Sequence, residues 1–458
     1  MAARIESLFL FLFFSILFFL PLPIGSNTQW AWSLFQVAIF SLLGACVLVF
    51  NTVFFNRIRT HKGPILLFVV IFVLLLIQQV SLPVEVLNII SPKSADAYIQ
   101  AGSSYGSITL DKAATLSALL KLASFISVFL LALFLLNTPE KIQTTLLFMV
   151  CVGAIQGFYG AYEILSGQDK ALFMDYDINP RANGSFVYHN HFANFMLLCL
   201  SAGLGYFINS LSRRRHRSTS SQLKAIVFSL VETKTMVRVL LTIMVIALVM
   251  SRSRMGNTAF FSSLMIVSLI YFFFGKNIPK GFKYLVISML IIDTFIVSAW
   301  FGLAKVKERL EGTSFEAESR DEVYRDMLNI IPDFPFLGAG GGSFETVFAN
   351  YQSEDIKLYY DQGHNDYLQF AIEYGVPVTL MLGTLLIYCA FLCINIIVKR
   401  QRRHLVSTAA ASLMAILGML IHMSVDFPLL PSANSSFFMI FIAIGLITHQ
   451  WHSEKKAG

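Results

Sequence analysis

Apolar residues in this chain come in unbroken blocks, not in alternation with polar ones. The blocks fall at about 7–24, 33–55, 64–83, 114–136, 142–165, 192–209, 237–251, 256–274, 284–302, 376–398, 405–424 and 435–450. Runs of roughly 17–25 apolar residues with few charges are long enough to cross a hydrocarbon core of about 30 Å as helices. Helices are the expected form, because a backbone facing lipid has to satisfy its own hydrogen bonds, and a β-barrel would show short alternating strands instead. The predicted fold class is therefore all-α: a polytopic membrane protein with about 12 transmembrane helices, residues 1–458 forming a single integral membrane domain. The first block has Arg4 as its only basic neighbour and no convincing cleavage site after Pro21 and Pro23, so it is expected as an uncleaved helix and not a signal peptide.

One long stretch, 303–375, breaks the apolar pattern and is expected as a large outer loop holding the chemistry. Within it, Ser319 and Glu322 form a capping-box pattern, and Val323, Met327 and Ile330 follow at helical spacing until Pro332. This predicts a short amphipathic helix with Arg320 in its first turn. Pro335 and the run Gly338-Ala339-Gly340-Gly341-Gly342 then predict a tight turn or a close backbone approach; no Gly-Lys-Ser/Thr follows, so it is not a nucleotide loop. A second amphipathic stretch from Asn365 (Tyr367, Leu368, Ala371, Ile372) ends at Gly375, with His364 at its mouth.

Composition agrees with the blocks: 56% hydrophobic, 13% charged and a mean hydropathy of +0.68 exclude an ordinary water-soluble domain. All five cysteines lie inside apolar runs and are expected as packing residues. The net charge of +7 would suit nucleic acid, but its distribution argues for topology instead. With a cytoplasmic N-terminus, the inward segments and their helix ends carry 21 of the 34 Lys and Arg residues, including Arg213-Arg214-Arg215 and Lys399-Arg400. These clusters are positive-inside signals and candidate anionic-lipid contacts, with no nucleic-acid partner expected. The outward 303–375 loop holds 14 acidic against 6 basic residues, so an anionic substrate there depends on particular arginines.

Three polar constellations face outward. Arg320 and His364 combine a planar donor fork suited to diphosphate oxygens with a group that exchanges protons near neutral pH; surface ion pairing is the plainer alternative. Arg181 to His191 is a dense polar cluster entering the membrane, either the wall of a site or a loop in which Asn190 caps a helix. His189, His191 and His364 suggest a metal only weakly, and no cofactor is expected. Ser251-Arg252-Ser253-Arg254 sets two arginines at a membrane boundary, where anion binding and interface anchoring fit equally. Lys121 and Asp293, isolated in apolar spans, would suit a transport path.

With these pieces in place, the chain resembles the O-antigen ligase and polymerase superfamily of bacterial inner-membrane glycan transferases. The resemblance rests on R-x-x-G-S-F-x-x-H-N-H-x-A from Arg181, S-R-S-R-M-G from Ser251, R-x-x-x-Y-x-x-x-L-x-I-I-x-x-x-P-x-L-G-x-G-x-G-S-F from Arg320, H-N-D-Y-L-Q-x-x-x-E-x-G from His364 and V-D-F-P-L-L-P-S-A-N from Val425, covering about 180–435. It implies a C-type glycosyltransferase architecture with a large periplasmic loop. It also implies transfer of a glycan from undecaprenyl diphosphate, at the periplasmic face of the inner membrane, to lipid A-core or to a second carrier-linked glycan, without metal. Arg181, Arg320 and His364 match the family's arginines and histidine and are the expected catalytic residues. Arg252, Arg254, Asn190, Asn365 and Tyr324 are the expected substrate contacts. His189 and His191 around Asn190 depart from the family's usual polar residues. A ligase is favoured, with a polymerase using the same donor as the alternative and a glycolipid transporter or flippase as the alternative of another class.

Overall fold

The computed structural model describes residues 2–168, 170–171, 180–210, 233–275, 284, 286–288, 291, 314–354, 356, 358–400 and 402–454. It is almost entirely helical. In chain order the helices are α1 Ala2–Phe19, α2 Gln29–Ile58, α3 Lys62–Gln78, α4 Val84–Ile90, α5 Pro92–Gln100, α6 Lys112–Leu135, α7 Pro139–Leu165, α8 His189–Ser210, α9 Thr233–Met250 and α10 Arg254–Phe274. After the 276–313 segment come α11 Ser314–Ile330, α12 Phe344–Phe348, α13 Asp366–Tyr374, α14 Val376–Lys399, α15 Arg403–Met423 and α16 Ser432–Glu454.

Among the described residues, eight helical runs are long and apolar enough to cross a membrane, α2 and α3 counting as the single run Gln29–Gln78. The chain is a multi-pass membrane protein. The expected twelve spans are not reached among these residues. The block at 237–251 forms α9, whose apolar part, Thr235–Met250, is shorter, and the block at 284–302 lies almost wholly outside the described residues, Asp293 with it. The first block is helical only to Phe19, because Pro21 and Pro23 cannot continue the ladder.

Burial divides the helices into a centre and a rim. α8 and α16 are almost wholly buried, and α8 packs on α7, α9 and α15, whereas α2 and α3 present Leu48, Leu66 and Val69 outward, as lipid-facing helices do. Lipid tails offer no hydrophobic drive between helices, so close approach through small residues holds the bundle. Gly153 of α7 shows this: a Cβ there would sit 2.4 Å from the Cβ of Cys199 on α8.

The two ends of the bundle differ. At one, Glu6 accepts from Arg57 (2.7 Å) and Lys141 (2.9 Å), and Arg400 donates to the His452 carbonyl (2.6 Å), with Arg402 and Arg403 nearby in sequence. At the other end sits a polar cap. The 84–113 segment forms α4 and α5 beside a short antiparallel ladder pairing Leu82 with Gly106 and Pro83 with Tyr105. These elements are too short to leave a periodic signal.

The second part of the cap is 314–375. Val323, Met327 and Ile330 are buried as their spacing predicts, packed with Phe344, Phe348 and Ile372. The helix begins at Ser314 and not at the Ser319 capping box, which puts Arg320 in its second turn and not its first. The glycine run is a clasp onto the bundle: Ala339 and Gly340 donate to the carbonyls of Ile372 and Glu373, Gly341 N–H to Gln78 Oε1 (3.1 Å) and Gly342 N–H to Glu373 Oε2 (2.9 Å). Gln78 Nε2 returns to the carbonyls of Leu337 (2.6 Å) and Glu373 (3.0 Å), so the last residue of α3 holds the cap from below.

Gly338 has φ +71, and a Cβ there would lie 2.2 Å from the Glu373 carbonyl oxygen, a backbone atom that cannot turn away. Gly338→Ala is expected to destabilise the protein by about 1–3 kcal/mol, read as a lower thermal unfolding midpoint in detergent. Gly63→Ala, where an added Cβ meets nothing within 4 Å, should leave the midpoint unchanged.

Candidate active site

His364 ends the loop that leads into α13. Asn365 caps that helix, its Oδ1 accepting from the N–H groups of Tyr367 and Leu368 (3.1 Å each), and its Nδ2 donates to the Ser424 carbonyl (2.9 Å). The cap forces the residue before it out of the helix, and His364 takes φ +50, a conformation that non-glycine residues adopt at a cost. Tyr324 on α11 donates its hydroxyl to the His364 carbonyl at 2.7 Å, and the imidazole lies edge-on to Tyr360 and to Phe427. Asn365 and Tyr324, expected as substrate contacts, therefore hold His364 in place.

The imidazole faces Asp426, with Nδ1 3.7 Å from Oδ1, an ion pair whenever the ring is protonated. Asp426 is 1% exposed, in the turn between α15 and α16. Its carboxylate accepts from the Phe427 N–H (2.9 Å) and from Tyr188 Oη (3.4 Å), and its carbonyl accepts from the Asp366 N–H (3.3 Å). Burial alone would raise this carboxyl, yet His364 beside it, the His422 and His191 imidazoles and the Phe427 N–H hold it down at about 2. Sequence reasoning quoted Asp426 inside V-D-F-P without giving it a role. A lone carboxylate between two apolar helices was the available signal.

The Arg181 loop closes the other side. Ala182 N–H donates to the Met250 carbonyl (3.0 Å), seating this loop on the end of α9 beside the Arg252 turn. Arg181 Nη1 donates to His189 Nε2 at 3.0 Å. Tyr188 stacks on Phe427 and lies edge-on to His191, so the loop meets the His364 region through this aromatic contact. Asn190 is not a cap: it lies inside α8 and donates to Tyr188 Oη (2.7 Å). Arg252 is half-buried with φ +52, and Ser253 caps α10, whose first residue, Arg254, is exposed. The side chain of Arg320 lies outside the described residues, and its backbone is in α11. His189 turns to Arg181 and His191 to Phe427, and among the described residues no group of three His, Cys, Asp or Glu is placed to hold a metal ion.

Among the described residues six non-glycine residues have positive φ, and three of them, Val187, Arg252 and His364, lie in these three loops. Strained backbone concentrates where a bundle has to present particular side chains. The arrangement offers a histidine backed by a buried carboxylate, with guanidinium groups on the neighbouring loops. That set suits proton removal from a hydroxyl next to an anion.

The carboxyl of Asp426 sits below its ordinary 3.8, so its stabilisation is complete above about pH 4 and is lost as pH falls towards 2. The gap in unfolding midpoint between wild type and Asp426→Asn is expected to narrow below pH 4. A gap that persists unchanged at pH 3 would contradict the depressed value.

Residues 239–383 match the family model described as O-antigen ligase, spanning α9, the Arg252 turn, His364 and the start of α14. No curated protein matches the chain.

Proposed function

We propose that this chain, a member of the O-antigen ligase and polymerase superfamily, transfers an oligo- or polysaccharide from undecaprenyl diphosphate to lipid A-core at the periplasmic face of the inner membrane. The observation that carries the reading is the His364–Asp426 pair at the end of the bundle that also bears Arg181 and Arg252, opposite the Lys399–Arg403 cluster. A positive-inside orientation puts that cluster in the cytoplasm and the pair outside.

In this mechanism Arg181 and Arg320, with Arg252 or Arg254, hold the diphosphate. The acceptor hydroxyl attacks the anomeric carbon, the bond to the diphosphate oxygen breaks, and the hydroxyl proton passes to His364. Charge grows on the leaving diphosphate as the bond breaks, so guanidinium groups aimed there stabilise the transition state more than the ground state. Asp426 Oδ1, 3.7 Å from Nδ1, forms an ion pair with the imidazolium that results. The displacement is direct, inverts the anomeric configuration and needs no metal ion. A polymerase would use the same donor end and the same residues, differing only in the acceptor.

Purified protein reconstituted with a native undecaprenyl-diphosphate-linked oligosaccharide should form product only when lipid A-core is added. A ladder of longer carrier-linked glycans in its absence would assign a polymerase, and no new bond under either condition would favour a transporter. His364→Ala and Arg320→Ala are each expected to lower turnover by at least about 100-fold while leaving the protein folded. Near-normal turnover in either variant would overturn the role given to that residue.

A further inference from the structure

A cavity of about 350 Å³ lies between α3, α6, α13, α14 and α16, bordered by Asp361, Gln362, Asp366 and Tyr367 on both sides of His364 in sequence. Its lower wall is apolar and deep. Phe125 stands 13 residues into α6, and Leu386 and Ile442 each 10 residues into α14 and α16. At about 1.5 Å per residue the wall descends roughly 15–20 Å into the bundle. A purely polar ligand would leave that depth unfilled, whereas a hydrocarbon chain fits it.

The upper rim is polar, and nearly all of it is already paired. Glu373 Oε1 accepts from Gln369 Nε2 (3.0 Å) and Oε2 from the Gly342 N–H, while Gln369 also binds Gln362 Oε1 (2.9 Å) and the Gly363 N–H (3.0 Å). Lys121 holds its ammonium 3.9 Å from the centroid of the Trp32 ring. Asp366 is the exception: 3% exposed, it lines the cavity, and its Oδ2 is buried with no hydrogen-bond partner among the described residues. Burial, with Asp426 and Glu373 adding to it, holds this carboxyl well above the ordinary range. An orphaned carboxyl oxygen of this kind costs free energy until a hydrogen-bond partner arrives. A hydroxyl donates and accepts at that position, whereas a phosphate group would add negative charge beside three carboxyl groups, Asp361, Asp366 and Glu373, against the single ammonium of Lys121.

We propose that this cavity binds an amphiphile that presents an uncharged hydroxyl to Asp366 and runs its hydrocarbon chain down between Phe125, Leu386 and Ile442. On the transferase reading, this amphiphile is the glycolipid acceptor, and the diphosphate donor lies with the arginines on the other loops. The binding itself does not depend on that reading.

Gly383 provides an independent handle. It lines the cavity within α14, and a Cβ added there meets no atom within 4 Å, so a large side chain finds room without displacing a neighbour. The test uses the full chain in a sugar-free detergent and a decyl β-glucoside carrying a diazirine at the chain end, with the equivalent alkyl phosphocholine as comparison. Cross-linked peptides are mapped by mass spectrometry, and unfolding midpoints confirm that each variant is folded. The glucoside is expected to label α6, α14 or α16, with labelling at least about tenfold lower for the phosphocholine and for Asp366→Leu. Gly383→Phe, which fills the space, should reduce glucoside labelling similarly. Equal labelling by both probes, or full labelling of folded Gly383→Phe, would overturn the proposal. If Gly383→Phe loses labelling yet transfers glycan at the wild-type rate, the acceptor assignment fails; a wild type that labels but never transfers refutes the transferase reading alone.

Discussion

A carboxylate taken out of water has to be compensated, and Asp426 is the point at which this bundle meets that requirement. It lies in the turn between α15 and α16, two helices of the bundle, where the Phe427 N–H and His422 are its neighbours in sequence, and from elsewhere in the chain it is met by the imidazole of His364, the hydroxyl of Tyr188 and the field of His191. Those contacts fix where the loop before α13 and the loop before α8 come to rest. The compensation of one buried charge thereby places a histidine, and the arginine-bearing loop beside it, at one end of the molecule.

The cap holds this arrangement from the opposite side. Gln78 and Glu373, both buried, tie the glycine run to the ends of α3 and α13, and Gly375 lets α14 start directly after α13. The outer segment is thus fixed to the membrane helices at its glycine run and at its C-terminal end. The cavity lies beneath that clasp, lined by Gln362 and Asp366, two positions to either side of His364 in sequence.

Much of this was legible in the sequence, for physical reasons. Long apolar blocks identify membrane helices because hydrocarbon tolerates little else, and the spacing of Val323, Met327 and Ile330 gave the buried face of α11. The motifs around Arg181, Ser251 and His364 lie on loops that converge at one end. Less was legible where partners come from distant positions. Asn365 and Tyr324, expected as substrate contacts, make bonds to the Ser424 and His364 carbonyls that no local pattern announces. Asp426 stood in plain view, but its pairing with His364 depends on the packing of α13 against the 424–427 turn, which no local pattern encodes. The short α4–α5 pair went unread because helices of 7 and 9 residues leave little periodicity.

The central claim is a single displacement in which His364 receives the acceptor proton while the arginines hold the departing diphosphate. The measurement that tests it most directly is the anomeric configuration of the newly formed linkage, determined by NMR on product made by the reconstituted protein from a donor of known configuration. The account predicts inversion. Retention would require either a covalent glycosyl intermediate or attack from the face of the leaving group, neither of which this mechanism contains, and would contradict it.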